Sequence, residues 1–171
     1  MTLYRSVSVG SPSKGEPVGV SLGHRELSEA DHWILSLSPA PAFACTHLVP
    51  VPYRHVAISL SGFSKKFRLN DELRPAAEAA LAGKFGRAVV FPGSDKLVGP
   101  LTVGELLEVS AIDKVEVLGS GAASPDDRLD TRDFVRPQFR SGELILTATP
   151  AAGGVLVPFE TRNPTPCCAN H

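Results

Sequence analysis

Hydrophobic positions recur with two different periods along this chain, and the changes of period divide it into elements. A period of two marks a half-buried strand, because successive side chains point to opposite faces of a sheet. Val56, Ile58 and Leu60 show it well, and Ser61-Gly62 ends the run, so a strand is predicted over 55–60. Val7, Val9 and Val18, Val20 show it around a Ser/Gly/Pro segment, 10–15, that suits a hairpin turn. Short apolar runs at 87–91, stopped by Pro92-Gly93, and at 114–118 read as further strands. The runs 144–148 and 155–157, joined across a Pro/Ala/Gly segment, read as an antiparallel hairpin.

The helical period appears where capping residues precede it. Asn70 or Asp71 caps a helix through Ala82 that carries Leu73, Ala76, Ala77, Ala80 and Leu81, with Gly83 or Gly86 as its stop. Pro75 falls in the first turn, where its missing N–H costs little. Thr102 with Glu105 forms the capping box of a second helix, 102–112, bearing Leu106, Leu107, Val109 and Ile112. Between 24 and 37 the evidence is mixed. Leu27, Ala30, Ile34 and Leu37 keep helical spacing, and Ser28 with Asp31 resembles a capping box, yet 33–37 is rich enough in apolar residues for a buried strand. This stretch reads as a short helical turn running into a strand. Prolines at 39, 41, 50 and 52 forbid regular helix in the segment that follows. The expected architecture is α+β or mixed α/β: a small sheet with two main helices and a C-terminal β-hairpin, then an extended Pro/Cys tail. Residues 1–160 are expected to form a single globular domain and 161–171 the tail.

Composition agrees with a folded chain and narrows its partners. The 171 residues are 43% hydrophobic and 20% charged, which supports a core of its own. The net charge is −1, and no basic run exceeds Lys65-Lys66, so a nucleic-acid or anionic-membrane partner is not expected. No apolar run is long enough for a transmembrane helix, and 1–6 lacks the apolar stretch of a secretory signal. An odd count of three cysteines argues against a disulfide framework and for a reducing, cytoplasmic setting.

The candidate chemistry concentrates in the tail. Cys167, Cys168 and His171 bring two of the three cysteines and a histidine together, and thiolate with imidazole is the ligand set zinc prefers. Cys168 and His171 can reach one ion from a single turn. A tetrahedral site needs further ligands from the body, for which Cys45 and His47 are the candidates. The corresponding function is a zinc-binding accessory or interaction protein, with a protein partner or a second copy of the chain docking nearby. One alternative is a small enzyme using non-haem iron or zinc, with His24 and Glu26 as a His-x-carboxylate pair and His47 or His55 as the distant ligand. Another is a structural subunit whose cysteines are incidental. The segment 119–124 resembles a dinucleotide-binding turn, but Pro125-Asp126-Asp127 follows where a helix N-terminus should receive phosphate. Asp130 and Asp133 flank Thr131-Arg132 and read as a solvated turn with local pairing.

Overall fold

The structure, a computed structural model, describes residues 16–83 and 85–163. Its elements follow in the order β1 (Val18–His24), α1 (Leu27–Leu35), β2 (Phe43–Val49), β3 (His55–Ser61), a short turn of 3-10 helix (Asp71–Leu73), α2 (Arg74–Ala82) and β4 (Phe85–Val90). Then come β5 (Pro100–Thr102), α3 (Val103–Val109), β6 (Lys114–Val117), β7 (Gly121–Ala122), β8 (Arg128–Asp130), β9 (Gln138–Arg140), β10 (Glu143–Pro150) and β11 (Leu156–Pro158).

The caps read from sequence are formed: Asn70 caps the 3-10 turn that runs directly into α2, and Thr102 caps α3. The Asn70 side chain accepts from the Glu72 N–H at 3.0 Å. Thr102 Oγ1 accepts from the Glu105 N–H at 3.1 Å, while the Glu105 carboxylate accepts from the Thr102 N–H at 2.8 Å. The first helix differs from expectation. It is a full helix with no strand after it, and its capping box is Glu26 with Glu29, two residues ahead of the Ser28–Asp31 pair. That shift frees Asp31 from a capping role and turns it, with Ala30 and Ile34, into the protein interior.

The small sheet with two helices is overturned. Among the described residues the strands form one mixed sheet of eleven, ordered β1-β3-β2-β4-β9-β10-β11-β8-β5, with β6 and β7 branching from β10, and three α-helices accompany it. The terminal hairpin exists, since β10 pairs antiparallel with β11, but it is built into the sheet. Ile145 pairs with both Gln138 and Lys114, and Ala148 with both Val117 and Pro158. One edge of β10 therefore carries β9 and then β11, and the other carries β6. Strands of two or three residues make up much of this half, too short to show alternation in the sequence.

In the first half, β3 and β4 both run antiparallel to β2, hence parallel to each other, and α2 makes the crossover between them. Val56, Ile58 and Leu60 of β3 pack with Val20, Ala30, Ile34 and Val89 under α1. Ala57, one position out of phase, packs with Val49, Ala76 and Ala80 under α2. The two helices thus cover opposite faces of the same strands. Gly19 of β1 allows α2 its close approach, for a Cβ there would stand 2.0 Å from the Ala77 carbonyl oxygen. A larger cluster including Phe91, Leu106, Ile112, Leu129, Leu144 and Leu146 fills the second half beneath α3.

Candidate functional site

Strand β4 carries one charged side chain inside its apolar run, Arg87. It shares parity with Val89, so it points to the α1 face, where Val89 joins the core and Arg87 meets Asp31. The pair is bidentate: Nη1 donates to Asp31 Oδ1 at 2.6 Å and Nη2 to Oδ2 at 2.9 Å. Nε donates to both oxygens of Glu160, at 2.7 and 3.0 Å, and Nη1 also reaches Thr46 Oγ1 at 3.3 Å. Arg136, in the segment before β9, donates from Nε to Asp31 Oδ2 at 3.0 Å and from Nη1 to the Val135 carbonyl at 3.1 Å. The side chains of Arg87, Asp31 and Arg136 are 8%, 10% and 11% exposed, and Glu160 is half-open to solvent at 34%.

Charges so buried are tolerated because each is paired and hydrogen-bonded. Burial alone would lower the Arg87 pKa, but the hydrogen bonds and charges of Asp31 and Glu160 outweigh it and the net shift is upward. At Arg136 burial wins: its pKa falls, because the positive charge of Arg87 offsets part of what Asp31 and Glu160 restore.

This centre forms the floor of a cleft of about 920 Å³ between α1 and the β10–β11 hairpin. Its walls mix apolar and polar groups. Leu27 and Leu35 come from α1, Phe159 follows β11, and Phe134, Thr147 and Arg162 complete the far side. Leu35 and Phe159 are 61% and 59% exposed. The Arg136 guanidinium lies 4.2 Å from the centroid of the Phe134 ring and that of Arg162 lies 5.7 Å from it, a cation–π arrangement. A concave, largely apolar wall with a few fixed polar groups is the usual build of a small-molecule site.

Of the residues singled out from sequence, those the structure describes do not come together in one site. Cys167, Cys168 and His171 lie outside the described residues. Cys45 and His47 share one face of β2, both against Gly86. Cys45 belongs to the core, and burial pushes its thiol up to about 12. His47 uses both ring nitrogens: Nδ1–H donates to the Phe85 carbonyl and Nε2 accepts from the Ser59 hydroxyl, each at 2.8 Å. A metal at Nε2 would have to displace that hydroxyl. Among the described residues no group of three or more His, Cys, Asp or Glu side chains is placed to hold a metal ion.

His24 and Glu26 open onto different clefts, His24 onto a smaller one of about 540 Å³ beside Trp33 and Glu26 onto the large one. His24 Nδ1 is buried without a hydrogen-bond partner among the described residues. His55 is sealed in the interior, its Nδ1–H donating to the Tyr53 carbonyl and its Nε2 accepting from Ser21, both at 2.7 Å. The glycine turn at 119–124 joins β6 to β7 as a hairpin, with no helix after it. Asp130 accepts from the Arg132 N–H and Asp133 from the Gly99 N–H, so this acidic pair shapes a turn.

Asp31, Arg87, Arg136 and Glu160 were not predicted as a site. Two of them carry a signal, since Asp31 lies on the apolar stripe of α1 and Arg87 at an inward position of an apolar strand. Glu160 and Arg136 carry none, being in segments without periodicity. Among the described residues no helix is long and apolar enough to cross a membrane. Comparison with known protein families, with curated proteins and with solved structures found no match.

Proposed function

We propose that this chain is a binding protein whose cleft between α1 and the β10–β11 hairpin receives a small organic molecule. The observation that carries the reading is the cleft itself: about 920 Å³ of concave space over a buried arginine–carboxylate floor. Its volume lies within the range, roughly 300–1,000 Å³, of sites that enclose drug-sized ligands. The floor favours recognition over acid–base catalysis, because Asp31 and Glu160 are already committed to arginines. Rigid, pre-paired groups hold their geometry before a ligand arrives and so lower the ordering cost of binding.

The test is chemical-shift mapping on the full chain, titrated with a panel of neutral, cationic and anionic aromatic compounds. Saturable shifts at the amides of Leu35, Thr147 and Phe159, weakened about tenfold by Phe159→Ala, are expected from the apolar area lost. Shifts confined to the His24–Trp33 cleft, or none with any probe, would overturn the reading.

Zinc held by Cys167, Cys168 and His171 is a second proposal, supported by their ligand chemistry and spacing. On this proposal the body adds little. Cys45 would have to ionise a thiol raised to about 12, and His47 would have to give up a hydrogen bond. The metal-dependent enzyme is the less supported alternative, because His24 and Glu26 face separate clefts.

A further inference from the structure

Taking the cleft as a small-molecule site, we infer that its ligand is an amphipathic monoanion, with one acid group on an apolar body. Arg136 and Arg162 would hold the acid group beside Phe134.

The donor inventory picks out those two arginines. Every nitrogen of Arg87 is engaged by Asp31, Glu160 or Thr46, so Arg87 has nothing left to offer a ligand. Arg136 uses Nε and Nη1, and its Nη2 has no partner among the described residues. Arg162 donates from Nη2 to the Asp133 carbonyl at 2.8 Å, and its Nε and Nη1 have no partner among the described residues. Both guanidiniums lie beside the same ring, 4.2 and 5.7 Å from the Phe134 centroid, and both arginines line the cleft. Charge-assisted hydrogen bonds from arginine to an acid oxygen are among the strong ones, and geometry of this kind suits a carboxylate.

The pairing of the charges sets the valence. On the floor, Arg87 and Arg136 are paired with Asp31 and Glu160; with Glu26 counted, the cleft's three arginines and three carboxylates balance, but Arg162 makes no salt bridge among the described residues. Glu26 sits on the rim with its carboxylate committed to the α1 cap. A single acid group therefore meets one guanidinium, Arg162, that no carboxylate already pairs among the described residues. A polyphosphate would face Asp31, Glu160 and Glu26 together, and a cation would face Arg162.

The walls set the rest of the molecule. Leu35 and Phe159 are exposed on opposite sides of the opening, and Leu27, Leu146 and Pro158 continue the apolar surface inward. An apolar body laid across them removes that surface from water while the acid group stays with the arginines.

Calorimetric titration of the full chain with decanoate, decanol, decyltrimethylammonium and inorganic phosphate, all below micelle-forming concentrations, tests the inference. Expected are saturable binding of decanoate, binding of decanol at least tenfold weaker, and no detectable binding of the other two. Arg162→Gln should reduce decanoate affinity about tenfold, to the level of decanol, with Arg162→Lys intermediate and the melting temperature unchanged. Equal binding of decanol and decanoate, both weakened by Phe159→Ala, would overturn the monoanion and leave the cleft reading standing. Decanoate binding indifferent to both Arg162→Gln and Phe159→Ala would overturn both. Phosphate binding as tight as decanoate, or no saturable decanoate binding, would also end the inference.

Discussion

Asp31 is the residue on which the buried centre turns, because it accepts from two arginines that reach it from different parts of the chain. Replacing it with Asn keeps the shape and removes the charge, leaving Arg87 with Glu160 alone and Arg136 with no carboxylate. Removing one partner of a buried pair costs about 3–5 kcal/mol, and water in the adjoining cleft places Asp31→Asn near the lower figure. Urea denaturation measures it; a loss below about 1 kcal/mol would show that water replaces the ion pair readily. A second expectation at this scale concerns acid. Burial holds His47 neutral, and its bond to the Phe85 carbonyl offsets this only in part; burial does the same at His24 against the Glu29 charge. Both folded-state pKa values are lowered, so the unfolded chain binds more protons as pH falls below about 6.5. Their contribution to stability is therefore complete above that pH and is lost as pH falls through the folded-state values. Urea midpoints from pH 8 to 5.5 should decline for the parent protein and less steeply for His47→Gln. Equal slopes would remove His47 from the account.

At the scale of elements, legibility followed length and local caps. α3 could be read because Thr102 and Glu105 announce its start, and α2 because Asn70 caps the 3-10 turn that leads into it. β3, β4 and β6 could be read because an alternating or apolar run of four or more residues displays its period. β5, β7, β8 and β9 could not, since each is at most three residues long and lies among prolines, glycines and aspartates. Their pairing is imposed by distant partners, as when Leu129 of β8 meets Leu156 of β11. α1 was misjudged at its cap, and that error hid Asp31 and with it the candidate site. Close packing of elements also gives a sharp test at Gly19. Any Cβ there meets the backbone of α2, so Gly19→Ala must push the helix off β1. A cost of roughly 1–3 kcal/mol is expected, seen as a lower urea midpoint. An unchanged midpoint would mean that α2 shifts freely over the sheet.

For the molecule as a whole, the tail proposal makes a claim that stability can answer. If Cys167, Cys168 and His171 retain zinc, elemental analysis of protein purified under reducing conditions should find about one ion per chain. Cys168→Ser should lower both that content and the melting temperature, because metal binding to the folded form is linked to folding. Equal metal content and melting temperature in variant and parent would reject it.

The seam made by Arg87 also bears on how the chain comes to be folded during synthesis. Its partners lie 56 residues before and 73 residues after it, and the strand that closes the other edge of β4 is β9. A ribosome extends the chain from its N-terminus at about 5–20 residues per second, so for several seconds Arg87 has emerged without Glu160. Until then a cation lies on an apolar strand with half of its counter-charge missing, and an unpaired strand edge stands open beside it. Nascent chains stalled before residue 138 should be digested rapidly by protease, and chains released beyond Glu160 should resist. Protection of the shorter chains would mean that the first four strands and their two helices fold without the seam.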